Sequence, residues 1–181
     1  MQNPVRNFTV RIPTKPYIRK FIGKMYGTPI TLSYWNPLAT FVLSLLDKER
    51  FDINMNSEKT RSQIASFTDE ILFCAPMKTM YYKGHSIDPN KIIAVNRFLD
   101  DLFARVLCQY CQLNVSDGKT RYDQAIVDFM RGCEIEIDQD ITMDALKKIE
   151  YRYRKKQEEF LQTFVLNKTE DPYSSKSRRY I

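Results

Sequence analysis

Phe8, Val10 and Ile12 alternate with Thr9 and Arg11. That period of two predicts a half-buried strand, ended by Pro13. Thr14 is then placed to cap a helix, with Lys15 and Pro16 in its first turn. Ile18, Phe21, Ile22 and Met25 share one face of that helix, and Lys15, Arg19, Lys20 and Lys24 fall largely on the other. Gly27 is a natural stop. Asn36-Pro37 pairs a cap with proline at the first helical position. Leu38, Phe41, Val42, Leu45 and Leu46 form the core face of this second helix, and Trp35 is placed to staple its entry.

Phe51, Ile53 and Met55 alternate with polar residues, which predicts another strand, and the polar stretch from Asn56 to Ser62 reads as a loop. Ile71, Leu72 and Phe73 make a short buried strand or apolar turn ending at Pro76. Met77 to Lys83 is a brief helix stopped by Gly84. Asp88-Pro89 opens the clearest helix in the chain. Its apolar surface runs from Ile92 through Phe103 to Leu113, wide enough to organise a core. Ser116-Asp117-Gly118 breaks it. A helix from Tyr122 to Met130 turns Ala125, Ile126, Phe129 and Met130 inward, and an acidic connector follows from Glu134 to Asp140. Thr142 begins a last helix reaching Leu166, with Met143, Leu146, Ile149, Tyr153, Phe160 and Phe164 at helical spacing.

The pattern predicts a mainly helical α+β fold. One domain covers 1–166, with a few short strands in its N-terminal half and a helix-loop-helix lobe over about 120–166. The tail 167–181 is expected to be basic and disordered.

Composition narrows the function. The 181 residues are 43% hydrophobic and 13% aromatic, which excludes a disordered protein. Five glycines leave no room for glycine-rich phosphate loops, and no P-loop, dinucleotide fingerprint or G-x-S-x-G elbow is present. No apolar run reaches the ~18 residues of a membrane span, so no membrane partner is expected. Cys74, Cys108, Cys111 and Cys133 sit mostly in apolar segments, as reduced cysteines do, and the expected compartment is cytoplasmic.

Three constellations carry little chemistry. Cys108-x-x-Cys111 lies inside a helix and reads as a core pair, where a zinc knuckle needs a turn. His85, the single histidine, stands in a turn. Glu134, Glu136, Asp138 and Asp140 lack the glycine and the distal glutamate of a calcium loop, and read as a solvated connector. No cofactor, metal or catalytic residue is expected.

The net charge of +6 is unevenly spread. Residues 1–46 hold six basic and no acidic residues, 101–150 hold six and ten, and 151–181 hold eight and four. Lys147, Lys148, Arg152, Arg154, Lys155 and Lys156 crowd the last helix, with Tyr151 among them. Such a face suits phosphate contacts. Arg19, Lys20 and Lys24 form a candidate second contact zone. The connector of about eight residues exceeds a strict helix-turn-helix turn.

The segment Val10-Arg11-Ile12-Pro13-Thr14-Lys15-Pro16-Tyr17-Ile18, with Tyr26-Gly27-Thr28-Pro29, resembles the start of small uncharacterised basic proteins of Bacteroidetes phages and mobile elements. Lys83-Gly84, Asn96-Arg97-Phe98, the run Ile141 to Lys148 and Tyr151-Arg152-Tyr153-Arg154 fit the same pattern, over residues 5–156. The resemblance implies an accessory protein of a mobile element acting on DNA, and supplies no site residues. The expected function is therefore a non-enzymatic nucleic-acid-binding protein, in replication or transcription control, with DNA as partner. Its rivals are an assembly component meeting an acidic protein surface and, further off, a small nuclease.

Overall fold

The computed structural model describes residues 7–48, 57–116 and 121–169. Strand β1 (Asn7–Thr14) is followed by α1 (Pro16–Tyr26), β2 (Ile30–Thr31), α2 (Pro37–Leu45) and α3 (Glu58–Ala65). Then come β3 (Asp69–Pro76), α4 (Met77–Lys83), α5 (Pro89–Ser116), α6 (Tyr122–Gly132) and α7 (Met143–Thr169). The fold is α+β and mainly helical, with its small sheet in the N-terminal half.

The strand order is β1-β3-β2. β1 runs antiparallel to β3 from Asn7↔Pro76 to Thr14↔Asp69, and β2 runs parallel to β3 through Ile30↔Phe73 and Thr31↔Cys74. Alternation sends Val10 and Ile12 of β1 and Ile71, Phe73 and Ala75 of β3 into the core. Helix α5 supplies Val95, Leu99, Phe103 and Leu107 to the same core. Phe103 packs its ring at 5.0 Å from Tyr17, 5.3 Å from Phe21 and 6.1 Å from Phe129, which joins α1, α5 and α6. The inward set foreseen for α6 is buried in full.

The helix starts follow local chemistry. Asn36 accepts hydrogen bonds from the Leu38 and Ala39 amides, and Asp88 accepts one from the Asn90 amide. Gly27, at φ 78°, ends α1 in the left-handed conformation that favours glycine.

Several expectations are corrected. β1 continues through Pro13 to Thr14, since at this position the ladder needs no donor from the proline. Thr14 is no cap: its hydroxyl is buried and donates to Asn96 Oδ1 at 2.7 Å, and Lys15 takes the cap position without a side-chain bond. Trp35 staples nothing, being 97% exposed. Residues 58–62, expected as loop, belong to α3, which is capped by Ser57 on the Thr60 amide. Met25 and Leu113 are exposed. α7 continues past Leu166 to Thr169. The strand expected at Phe51–Met55, the break at Asp117-Gly118 and the tail from residue 170 lie outside the described residues.

Asn96 bonds two groups at the β1–α1 junction and one on its own helix. Besides accepting from Thr14, its amide donates to the Pro13 carbonyl at 2.8 Å and to the Ile92 carbonyl at 3.0 Å. Asn96→Ala leaves the buried Thr14 hydroxyl and the Pro13 carbonyl unpaired. It should cost about 2–3 kcal/mol in urea denaturation, and Thr14→Val about 1 kcal/mol.

Candidate nucleic-acid interface

Helix α7 packs beside α5 and in the same direction. Ala104 faces Tyr153, Cys108 Sγ lies 3.8 Å from Gln157 Oε1, and Gln112 neighbours Phe160 and Leu161. Leu146 is fully buried, and so nearly is Glu150. That packing turns Lys147, Lys148, Tyr151, Arg152, Lys155 and Lys156 outward.

These cations are not equivalent. Lys147 reaches Asp123 of α6 at 3.0 Å. Arg154 is held within the fold. Its Nε donates to the buried Glu150 at 3.1 Å, a second nitrogen lies 3.5 Å from Glu158, and the guanidinium sits over the rings of Tyr122 and Tyr151. Lys155 is 3.9 Å from Glu159, an exposed pair of little strength. Lys148, Arg152 and Lys156 meet no partner among the described residues. They recur every four residues, so they form one stripe along the helix.

Arg152 and Lys156 also line a groove of about 300 Å³ between α7, α5 and the start of α1. Lys15, Tyr17, Asp100 and Asp101 form its opposite wall. Asp100 is occupied: Lys15 Nζ donates to it at 2.7 Å and the Tyr17 hydroxyl at 2.8 Å. Burial pushes the Tyr17 phenol well above its usual range, and the Asp100 charge adds to this. Lys15 is thus the residue of the N-terminal basic run that approaches the α7 stripe, a proximity that spacing in the sequence does not reveal.

The proposed second zone lies elsewhere and is neutralised. Arg19 pairs with Asp69 at 2.6 Å, Lys20 with Asp140 at 2.6 Å and Glu136 at 3.5 Å, and Lys24 with Glu134 at 2.9 Å. The acidic connector is therefore not simply solvated. Glu134 and Asp138 take left-handed φ values of 59° and 70°, and the chain curls so that Ile135 is buried while three carboxylates meet α1. Burial alone would raise the Asp140 carboxyl. The hydrogen bonds from Lys20 and from the Glu136 amide, with the charges of Lys20 and Arg19, outweigh it and hold that group below the usual range. Glu134 is lowered by its hydrogen bond from Lys24.

Cys108 and Cys111 are buried on α5, and burial pushes their thiols up to about 11 and about 12. His85 donates its amide to the Asp47 carbonyl at 2.9 Å. Among the described residues no group of His, Cys, Asp and Glu is arranged to hold a metal ion, and no helix is long and apolar enough to cross a membrane. No family model, curated protein or solved structure matches the chain.

Two outcomes follow from these ionisations. Asp140 and Glu134 have folded values below their unfolded ones. The stability they add is present above the ordinary carboxylate range of about pH 4 and is lost as pH falls through the folded values. The melting midpoint should fall between about pH 5 and pH 3. Lys20→Met should flatten that fall. Cys74, the one partly exposed thiol, should react with a thiol reagent before Cys108 and Cys111, as mass spectrometry of a time course would show.

Proposed function

We propose that the chain binds nucleic acid, without catalysis, through the outward face of α7. One observation carries the reading: the stripe Lys148, Arg152 and Lys156 is exposed and has no partner among the described residues. Counterion release from phosphates favours such a stripe over the paired cations of α1. Tyr151 stands beside it, exposed, and adds a hydrogen-bonding or stacking group. Lys147 and Lys155 sit at its margin in weak, solvent-screened pairs that a phosphate can displace. Arg154 is a packing residue in this reading, and Arg19, Lys20 and Lys24 stabilise the fold. An accessory role in a phage or mobile element rests on the sequence resemblance alone.

A second reading, as a protein-interaction component, is favoured by a different surface. Leu113, Phe160 and Leu161 are exposed near a groove of about 550 Å³ between the ends of α5 and α7. A cluster of that kind marks a contact surface more often than a phosphate site.

Fluorescence anisotropy with labelled oligonucleotides tests the first reading. The wild-type chain should bind at low salt and weaken steeply as salt rises. The variant carrying Lys148→Gln, Arg152→Gln and Lys156→Gln should flatten the log–log salt slope on duplex by roughly two to three units, at ~0.9 per lost phosphate contact. Absence of binding at low salt, or binding indifferent to salt, would sink it and leave the protein-interaction reading.

A further inference from the structure

We infer that a separate face, built from the β2–α2 turn and helix α4, binds single-stranded nucleic acid by stacking bases on Trp35, Tyr34, Tyr81 and Tyr82. The inference deepens the nucleic-acid reading and rests on it only for the class of partner. None of these residues lies on α7.

The first observation is exposure. Trp35 is the chain's single tryptophan and is 97% exposed, while Tyr34, Tyr81 and Tyr82 are each about 70% exposed. Large rings left this bare are costly to keep in water unless something covers them. Inside the fold the same side-chain type is paired, as Tyr17 is against Phe103 and Tyr110 against Phe129.

The second observation is placement. β2 and β3 run parallel, Thr31 opposite Cys74, and the Leu32 amide donates to the Cys74 carbonyl at 2.8 Å. The chain therefore leaves both strands at the same end of the sheet. The Tyr34-Trp35 turn and the first turn of α4 both begin there. The far ends of α2 and α4 also meet, because Asp47 and Ser86 form a bridge. Gly84, at φ 106°, lies so close to the Asp47 carbonyl that any side chain would collide with it. α4 itself packs on β3 and β1, and the segments that follow α2 and α4 are joined at this bridge. The seven residues of α4 span roughly 10 Å, so Tyr81 and Tyr82 lie within two helical turns of the end of the sheet from which the Tyr34-Trp35 turn also leaves.

The third observation is charge. Lys78 and Lys83 of α4 are exposed and have no partner among the described residues. No acidic residue occurs in 30–46 or 77–87. The carboxylates that border these segments are Asp47, held by Lys91 at 2.6 Å, and Asp88, which accepts from the Asn90 amide at the start of α5. Flat rings beside free ammonium groups fit a strand that offers base faces and phosphates together. A duplex hides its base faces.

Trp35 makes the test site-specific, since its emission reports this face and not α7. The full-length chain is titrated with a short oligothymidylate at low salt, following tryptophan emission and oligonucleotide anisotropy together. Saturable quenching that weakens with salt is expected, with a loss of affinity of about tenfold for Tyr81→Ala or Tyr82→Ala. A duplex of equal length should bind without quenching. These side chains are exposed, and circular dichroism confirms that the variants fold. Binding of oligothymidylate with no change in Trp35 emission, and undiminished by Trp35→Ala, overturns the inference and leaves the α7 reading intact. Quenching that persists in the α7 triple variant, with duplex binding unchanged from wild type, upholds the inference and overturns the α7 reading. Binding of neither strand form overturns both, and quenching by an acidic peptide in place of the oligonucleotide overturns the inference alone.

Discussion

A strand that ends in Pro-Thr-Lys-Pro must hand over to a helix with few backbone donors to spare. Both prolines lack an N–H, and Lys15 caps α1 with no side-chain bond. Asn96 resolves that junction from the opposite side of the core. Its amide takes the Pro13 carbonyl and its oxygen takes the Thr14 hydroxyl. An unpaired polar group buried there would cost more than the bonds themselves contribute, so the three partners fix one another's positions. Because Asn96 sits between Val95 and Leu99 on the buried face of α5, it sets the register of β1 and α1 against the central helix. The aromatic contacts of Phe103 with Tyr17 and Phe21 depend on that register, and through Phe129 so does the seat of α6.

The placement of α1 has an electrostatic consequence. Its cations form part of an acid-free N-terminal stretch, yet each of Arg19, Lys20 and Lys24 meets a carboxylate from elsewhere in the chain. Lys20 and Asp140 are 120 positions apart. A sequence window cannot register such a pair, so composition counts as free cations that the fold pairs. The same blindness affected Arg154, whose spacing matches its neighbours but whose guanidinium is taken by Glu150 and two tyrosine rings.

What the sequence did reveal was local. Proline after Asn36 and after Asp88 marked two helix starts correctly, because a cap and a fixed φ act within four residues. The period of α6 named its buried set, since one apolar stripe can face only one core. α3 was missed because its face is polar; Ser57 caps it, and the buried Thr60 hydroxyl ties it to Asn90 of α5. Trp35 was misread for a reason the sequence contained. A staple requires an apolar partner at the fourth helical position, and that residue is Thr40, whose hydroxyl turns back to the Ser33 carbonyl. A tryptophan beside a turn with no staple partner was the available signal for an exposed ring.

Internal pairing also decides where the surplus charge remains. Glu134, Glu136 and Asp140 precede α7 by only a few residues. Left free, they would lie within about one Debye length, ~10 Å, of the first basic turn of α7 and weaken its field. Docked on α1, they are held by its lysines instead, and the cations they neutralise are those already committed to the fold. The excess then concentrates on the unpaired residues of α7 and on the lysines of α4 beside the bare rings. A polyanion is steered by such segregated charge more than by a net value of +6 spread evenly. The two surfaces differ in what they offer it: α7 presents charge with a single tyrosine, and α4 with its neighbouring turn presents rings with two lysines. On the nucleic-acid reading, the first favours phosphate in any strand form and the second favours unpaired bases, so a junction between duplex and single strand is the ligand that could engage both.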